Sequence, residues 1–139
     1  MEAAQRLSGI IFSDLGQAAS FMALAWVQAA LEKSLGFSPF PATLNLRPRS
    51  REDAKVWEAV QNESEGVPFA PVSDGFCRAR LYRVHIHRPV DSSDRVNGAV
   101  LLPDVKDYPK DKIEIIAAMR LKEVFGVEDG DPLTLEFGN

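Results

Sequence analysis

Thr43 and Asn45 stand two residues apart in the stretch Leu35-Gly36-Phe37-Ser38-Pro39-Phe40-Pro41-Ala42-Thr43-Leu44-Asn45-Leu46-Arg47, on what reads as a strand. Residues i and i+2 of a strand share a face. A hydroxyl and an amide oxygen side by side suit a hard cation such as Mg2+, which takes oxygen ligands and shares them with substrate phosphates. Pro39 and Pro41 hold the approach extended, so the pair is positioned in advance. The plainer reading of the same pair is the polar face of a half-buried strand, and on these two residues alone both readings stand. The remaining chemically capable side chains do not gather. Cys77 is the single cysteine, which rules out an internal disulfide and disfavours a cysteine-based zinc site. In an alternating segment it reads as a small buried or half-buried residue rather than a nucleophile. His85 and His87 alternate with apolar neighbours and, with no further clustered ligands, read as strand surface.

These residues sit in a chain of 139 residues, one ordinary domain in length and large enough to bury most of its apolar surface. Hydrophobic residues at 45% and charged residues at 26% are those of a globular protein rather than a disordered one. The formal charge of −4 argues against a general nucleic-acid binder, whose surface needs a phosphate-neutralising basic excess. No apolar stretch is long enough for a membrane span, and Glu2 precedes the only early cation, Arg6, unlike the basic start of a signal peptide. A cytoplasmic protein without membrane or nucleic-acid partners is the expectation.

Periodicity places the elements. Leu7 to Phe12 reads as a first strand, with Gly9 a bulge or a point of close approach. Ser13 to Ser20 reads as a loop. Phe21, Leu24, Val27, Leu31 and Leu35 recur at three- and four-residue steps, which predicts a helix closed by Gly36 and packed on two sides through Met22 and Trp26. Thr43 to Leu46 is the next strand. Arg47 to Glu65 is polar, with a short helix around Asp53–Val60. Phe76 to His87 alternates almost strictly and predicts a long strand. Pro89 to Asn97 reads as a turn-rich connection, Gly98 to Leu102 as a strand, and Asp104 to Asp111 as a charged loop. Lys112 to Ala117 is a strand, Ala118 to Phe125 a short helix stopped at Gly126, and Leu133 to Phe137 a last strand after the turn at Glu128–Asp131. Strands outnumber helices and no βαβ repeat appears. The fold class is therefore mainly β with α: a single, mostly antiparallel β-barrel with two or three helices.

Three segments, in this order, resemble one family, the archaeal CTP-dependent riboflavin kinases. They are Gly9-Ile10-Ile11-Phe12-Ser13-Asp14-Leu15-Gly16-Gln17-Ala18, then Leu35 to Leu46, then Tyr108-Pro109-Lys110-Asp111-Lys112-Ile113-Glu114-Ile115-Ile116-Ala117-Ala118-Met119-Arg120-Leu121-Lys122-Glu123 with Asp129-Gly130-Asp131 behind it. Gly98-Ala99-Val100-Leu101-Leu102-Pro103 is similar to the family's strand before its flavin loop. The resemblance implies a six-stranded cradle-loop barrel and transfer of the γ-phosphate of CTP to the 5′-hydroxyl of riboflavin, giving FMN and CDP. It implies Mg2+ on Thr43 and Asn45. It implies a nucleotide along the loop Asp14, Leu15, Gly16, Gln17, Ala18, Ala19 and Ser20, closed over by the turn Ala118, Met119, Arg120, Leu121 and Lys122. Lys106 falls at a flavin-loop position, and Glu114 is implied to meet the ribityl chain and serve catalysis.

General chemistry runs alongside. A loop feeding a helix N-terminus offers free backbone N–H groups to phosphate oxygens. Glu114 alternates with Ile113 and Ile115 and so faces away from them, and within reach of a hydroxyl it could take the proton. The first loop departs from the family pattern: Asp14, Gln17 and Ala18 stand where the family carries Gly, Glu and Gly, and Ala118 where it carries Pro. Asp14 adds a charge that repels phosphate. The alternative function is thus a catalytically silent nucleotide- or flavin-binding module on the same barrel. Arg120 and Lys122 as a solvated helix face, and Glu114 as an ordinary strand carboxylate, are the plainer readings of those residues.

Overall fold

β1 (Gln5–Phe12) buries Leu7, Gly9 and Ile11 and leaves the residues between them partly open, the pattern of a strand with one face on a core. The computed structural model describes residues 5–13, 22–64, 66–69 and 78–138. Over these the chain runs β1, α1 (Ala25–Leu35), β2 (Leu44–Pro48), α2 (Arg51–Glu63), β3 (Val67–Phe69), β4 (Ala79–Arg88), β5 (Asp91–Pro103), β6 (Ile113–Ala117), α3 (Leu121–Phe125) and β7 (Pro132–Phe137). The strand order is β3-β4-β5-β6-β2-β1-β7, and β7 pairs again with β4. That last pairing closes six antiparallel strands into a barrel, as expected. β3 takes the Ala79–Leu81 part of the β4 edge that β7 uses at Val84–His87.

Two apolar clusters form because β4, β5 and β6 are buried on both faces. Inside the barrel lie Leu7, Ile11, Leu44, Leu46, Ile113, Ile115, Leu133 and Leu135, with Trp57 of α2 and Phe125 of α3 packed onto them. Trp57 meets Tyr82 edge-on, with ring centroids 5.4 Å apart, and stacks on Phe137 at 5.8 Å. Outside the barrel Val27, Leu31 and Leu35 of α1 cover Leu81, Ala99, Leu101 and Ile116. Trp26 stacks on Phe69 of β3 and widens this same apolar face, which is one cluster rather than packing on two sides. Glu114 and Asn45 alternate with inward-facing neighbours and therefore belong to the outer face. Among the described residues no helix is long and apolar enough to cross a membrane.

Several boundaries differ from the sequence expectation, each for a physical reason. The helix expected from Phe21 begins at Ala25, because Leu24 is extended (φ −65°, ψ 134°). Met22 reaches the outer cluster from the approach to the helix instead. The C-terminal expectation holds: Gly36 takes a left-handed φ of 86° and its N–H returns to the Glu32 carbonyl at 2.8 Å. α2 is longer than Asp53–Val60, because Ser50 caps it: its hydroxyl accepts from the Asp53 N–H at 3.2 Å. A Cβ on Gly9 would stand 3.0 Å from the Arg47 carbonyl, the close approach anticipated there.

The connection expected at Pro89–Asn97 is a strand over most of its length. β4 and β5 form one long hairpin, with Ile86 opposite Val96 and His85 opposite Asn97. Phe76 and Cys77 lie outside the described residues, and β3 had no sequence expectation at all. Thr43 lies one residue before β2 rather than within it.

His87 is not strand surface. It is buried, its Nε2–H donates to Glu136 Oε2 at 2.6 Å, and its Nδ1 lies 2.8 Å from the Arg88 carbonyl oxygen. Glu136 also meets Arg6 and Arg95, both at 3.4 Å. Burial pushes the Glu136 carboxyl up, but the His87 hydrogen bond and the charges of Arg6 and Arg95 outweigh it and hold the group below its ordinary value of 4.5. A carboxyl depressed in the folded state stabilises the fold above that ordinary value, and the contribution is lost as pH falls through the folded value. Glu136→Gln is therefore expected to destabilise the protein by about 1–3 kcal/mol at pH 7. The gap to wild type should narrow as pH falls below 4.5 and through the lower folded value, as urea denaturation across a pH series would show. A gap that persists unchanged at pH 3 contradicts this role.

Candidate active site

Outer-face residues of adjacent strands form a row across the barrel. Phe12 of β1 stands opposite Asn45 of β2, Asn45 opposite Glu114 of β6, and Glu114 opposite Leu101 of β5. Directly opposed side chains on one face come within about 5 Å at Cβ, so Asn45 and Glu114 form one polar pair. The Asn45 amide oxygen is buried and has no hydrogen-bond partner among the described residues. Such an orphan acceptor costs about 1–3 kcal/mol unless a group beyond the described residues, or a ligand, satisfies it.

Glu114 is buried to 6% exposure and held from the loop that leads into β6. The Tyr108 hydroxyl donates to its Oε1 at 2.5 Å, and the Lys112 ammonium lies 3.6 Å from the same oxygen. Lys112 also sits 5.7 Å from the centre of the Tyr108 ring. The loop is tied back to β2, where Arg47 lies over the Phe12 ring and pairs with Asp111 at 3.5 Å. Lys106, the residue expected at the flavin, is in an exposed turn of this loop. Among the described residues it makes no hydrogen bond or ion pair, so the cation that reaches Glu114 is Lys112. Sequence reasoning missed Lys112 and Tyr108. Lys112 carried a usable signal, since i and i+2 on a strand edge share a face.

The far end of β6 opens on a second part of the site. Ala117 accepts from the Phe40 N–H at 2.7 Å, which fastens the proline-bounded segment ahead of Thr43 to this end of the strand. Here Ala118 and Met119 line a cavity of about 630 Å3 with Phe37, Arg83, His85 and Asn97. Its size and its mix of apolar walls with a few polar groups suit a nucleotide-sized ligand. Arg83 is fixed by donating to the Ser34 carbonyl at 2.7 Å and the Leu35 carbonyl at 3.1 Å.

The remaining members of the expected nucleotide turn separate. Arg120 precedes α3 and pairs with Glu123 at 3.0 Å on the surface, in line with its plainer reading. Leu121 is buried in the barrel core, so its side chain is structural. Lys122 meets Asp129 at 2.9 Å. Asp129 also accepts from the Ser13 hydroxyl, and this bond and the Lys122 ammonium hold its carboxyl below the ordinary range. Ser13 is the last described residue before Asp14–Ser20, which lie outside the described residues. The Ser13–Asp129–Lys122 chain thus joins the end of β1 to α3. Along the site the order is cavity, then the approach to Thr43, then Asn45 with Glu114. Three strand steps, about 10 Å, separate Glu114 from Ala117.

Among the described residues no three His, Cys, Asp or Glu side chains gather into a metal-holding group. A cation here would rest on neutral oxygens, and the orphaned Asn45 Oδ1 is of the right kind.

Comparison with known proteins identifies the family. The model of the CTP-dependent riboflavin kinase domain, described as domain of unknown function DUF120, matches residues 11–137. The chain is 31% identical over 134 residues to a protein named riboflavin kinase from Pyrobaculum islandicum, covering 94% of this chain and 59% of the relative. It is 32% identical over 133 residues to a riboflavin kinase from Pyrobaculum calidifontis, with 94% and 59% covered. It is 32% identical over 138 residues to one from Methanospirillum hungatei, with 94% and 56% covered. The chain therefore spans under two thirds of the length of these relatives. It belongs to the CTP-dependent riboflavin kinase domain family.

Proposed function

We propose that this domain transfers the γ-phosphoryl group of CTP to the 5′-hydroxyl of riboflavin, giving FMN and CDP. Family membership and the names of the relatives support a riboflavin kinase, and the name of the family model supports CTP as donor. The observation that carries the reading is the buried Asn45 oxygen, unpartnered among the described residues, directly opposite a buried Glu114. It sets an oxygen fit for a cation beside a carboxylate fit for a hydroxyl. Thr43 and Asn45 would hold Mg2+, and the ion would supply charge neutralisation at the β- and γ-phosphoryl oxygens. The nucleotide would occupy the cavity lined by Ala118 and Met119, and Glu114 would hold the ribityl hydroxyl. The riboflavin 5′-oxygen forms a bond to the γ-phosphorus while the bond from that phosphorus to the β–γ bridging oxygen breaks. The electron pair leaves on CDP, and the hydroxyl proton passes to Glu114. Positioning and charge neutralisation are most of what such a transfer needs, which a small barrel can provide.

The second reading, a silent binder, is favoured by one observation: Asp14, Gln17 and Ala18 in the loop where the resembling enzymes carry Gly, Glu and Gly. A melting-temperature series with CDP, ADP, FMN and riboflavin, each with and without Mg2+, tests ligand identity. A ligand at 100 times its Kd stabilises by about 2.7 kcal/mol, several degrees for a domain of this size. The expected result is a shift with CDP and FMN together that exceeds either alone and needs Mg2+ for its nucleotide part. No shift with any nucleotide or flavin contradicts the proposal.

A further inference from the structure

We propose that Tyr108 is a positioning residue for the phosphoryl acceptor, acting through Glu114; the inference rests on the reading that Glu114 faces the riboflavin hydroxyl. A carboxylate can rotate about its last bond, and a base that rotates presents its lone pairs to the acceptor only part of the time. At Glu114 this freedom is removed from one side. The Tyr108 hydroxyl, at 2.5 Å, and the Lys112 ammonium, at 3.6 Å, both address Oε1. Among the described residues no hydrogen bond falls on Oε2, so the carboxylate is held by one oxygen and has the other for a ligand. Tyr108 is itself steered: Lys112 lies against its ring, and Asp107 before it takes a left-handed φ of 66°, rare for a residue other than glycine. Two strained or paired elements thus converge on a single carboxylate oxygen. A surface tyrosine with only a packing role has no need of either.

The consequence is a split between binding and turnover. A group that fixes the angle of the acceptor's partner matters most when the oxygen must lie in line with the γ-phosphorus, and matters less for holding the flavin. Tyr108→Phe removes one oxygen atom from a half-buried ring, so the fold should persist, as the melting temperature will show. The test is a double-mutant cycle of Tyr108→Phe and Glu114→Gln on the full chain, read on kcat for FMN formation and on the riboflavin Kd from flavin fluorescence. In the wild-type background Tyr108→Phe should lower kcat about 10-fold with the riboflavin Kd changed by less than about 3-fold. In the Glu114→Gln background the same change should cost less than about 2-fold, because the residue it acts through is already altered. Equal losses in the two backgrounds, or an unchanged kcat in Tyr108→Phe, overturn the positioning role and leave the kinase reading in place. A wild-type protein that forms no FMN with any nucleoside triphosphate overturns the kinase reading and the proposal with it.

Discussion

Glu114→Gln is expected to cut FMN formation by about 10²-fold or more, with riboflavin affinity altered much less. The variant keeps the shape of the side chain and one hydrogen-bonding oxygen but removes the charge that accepts a proton. Its surroundings make this a sharp change. Glu114 is 6% exposed and is approached by a hydroxyl and an ammonium. In that place a neutral amide removes the carboxylate charge 3.6 Å from the Lys112 ammonium and can turn its NH2 group toward Tyr108. Interactions that strengthen only in the transition state show themselves in kcat rather than in affinity. Initial-rate kinetics with riboflavin varied at saturating CTP and Mg2+ give both parameters. Unchanged turnover in the Gln variant removes Glu114 from the mechanism while leaving the enzyme intact.

Asn45→Ala should separate the metal from the rest of the site. If Asn45 Oδ1 helps to hold Mg2+ shared with the nucleotide, its loss should weaken CDP binding roughly 10-fold or more in Mg2+, the scale on which disturbed metal surroundings act. In EDTA the two proteins should bind CDP alike. The stability prediction runs the other way. Among the described residues the Asn45 oxygen is buried without a partner, so deleting it removes an unsatisfied acceptor, and the metal-free variant should melt no lower than wild type. An equal loss of CDP affinity with and without metal contradicts the assignment. So does a large drop in metal-free stability, which would show that the amide already has a structural partner.

The barrel was legible because its strands advertise themselves. Ile113-Glu114-Ile115-Ile116-Ala117 is buried throughout, and a continuous short apolar run marks a strand covered on both faces. Alternation along β4 carried the same information. What escaped were segments whose structure is imposed from elsewhere. Ser92, Ser93 and Asp94 have the composition of a loop, yet β5 pairs with β4 on either side of them, at Arg88–Asp91 and Ile86–Val96 across a register shift, and register with a partner is not written in local composition. The burial of His87 depends on Glu136, which lies 49 positions later in the chain. The same holds for the site. Asn45 and Glu114 could each be singled out from strand spacing, but their direct opposition follows from β2–β6 register. The Tyr108 contact depends on how one loop folds back. Ser50 and Asp53, by contrast, were a readable helix start that composition alone obscured, since the residues around them are charged.

The most direct measurement is FMN formation by the wild-type protein from riboflavin and Mg2+ with CTP, ATP, GTP and UTP supplied in turn, with flavin products separated and counted against nucleoside diphosphate released. The account predicts FMN and CDP in equal amounts with CTP, at a rate well above that with the other three nucleotides, and none when Mg2+ is chelated. Riboflavin that binds but is recovered unphosphorylated with all four nucleotides would contradict the account and make the domain a silent binder.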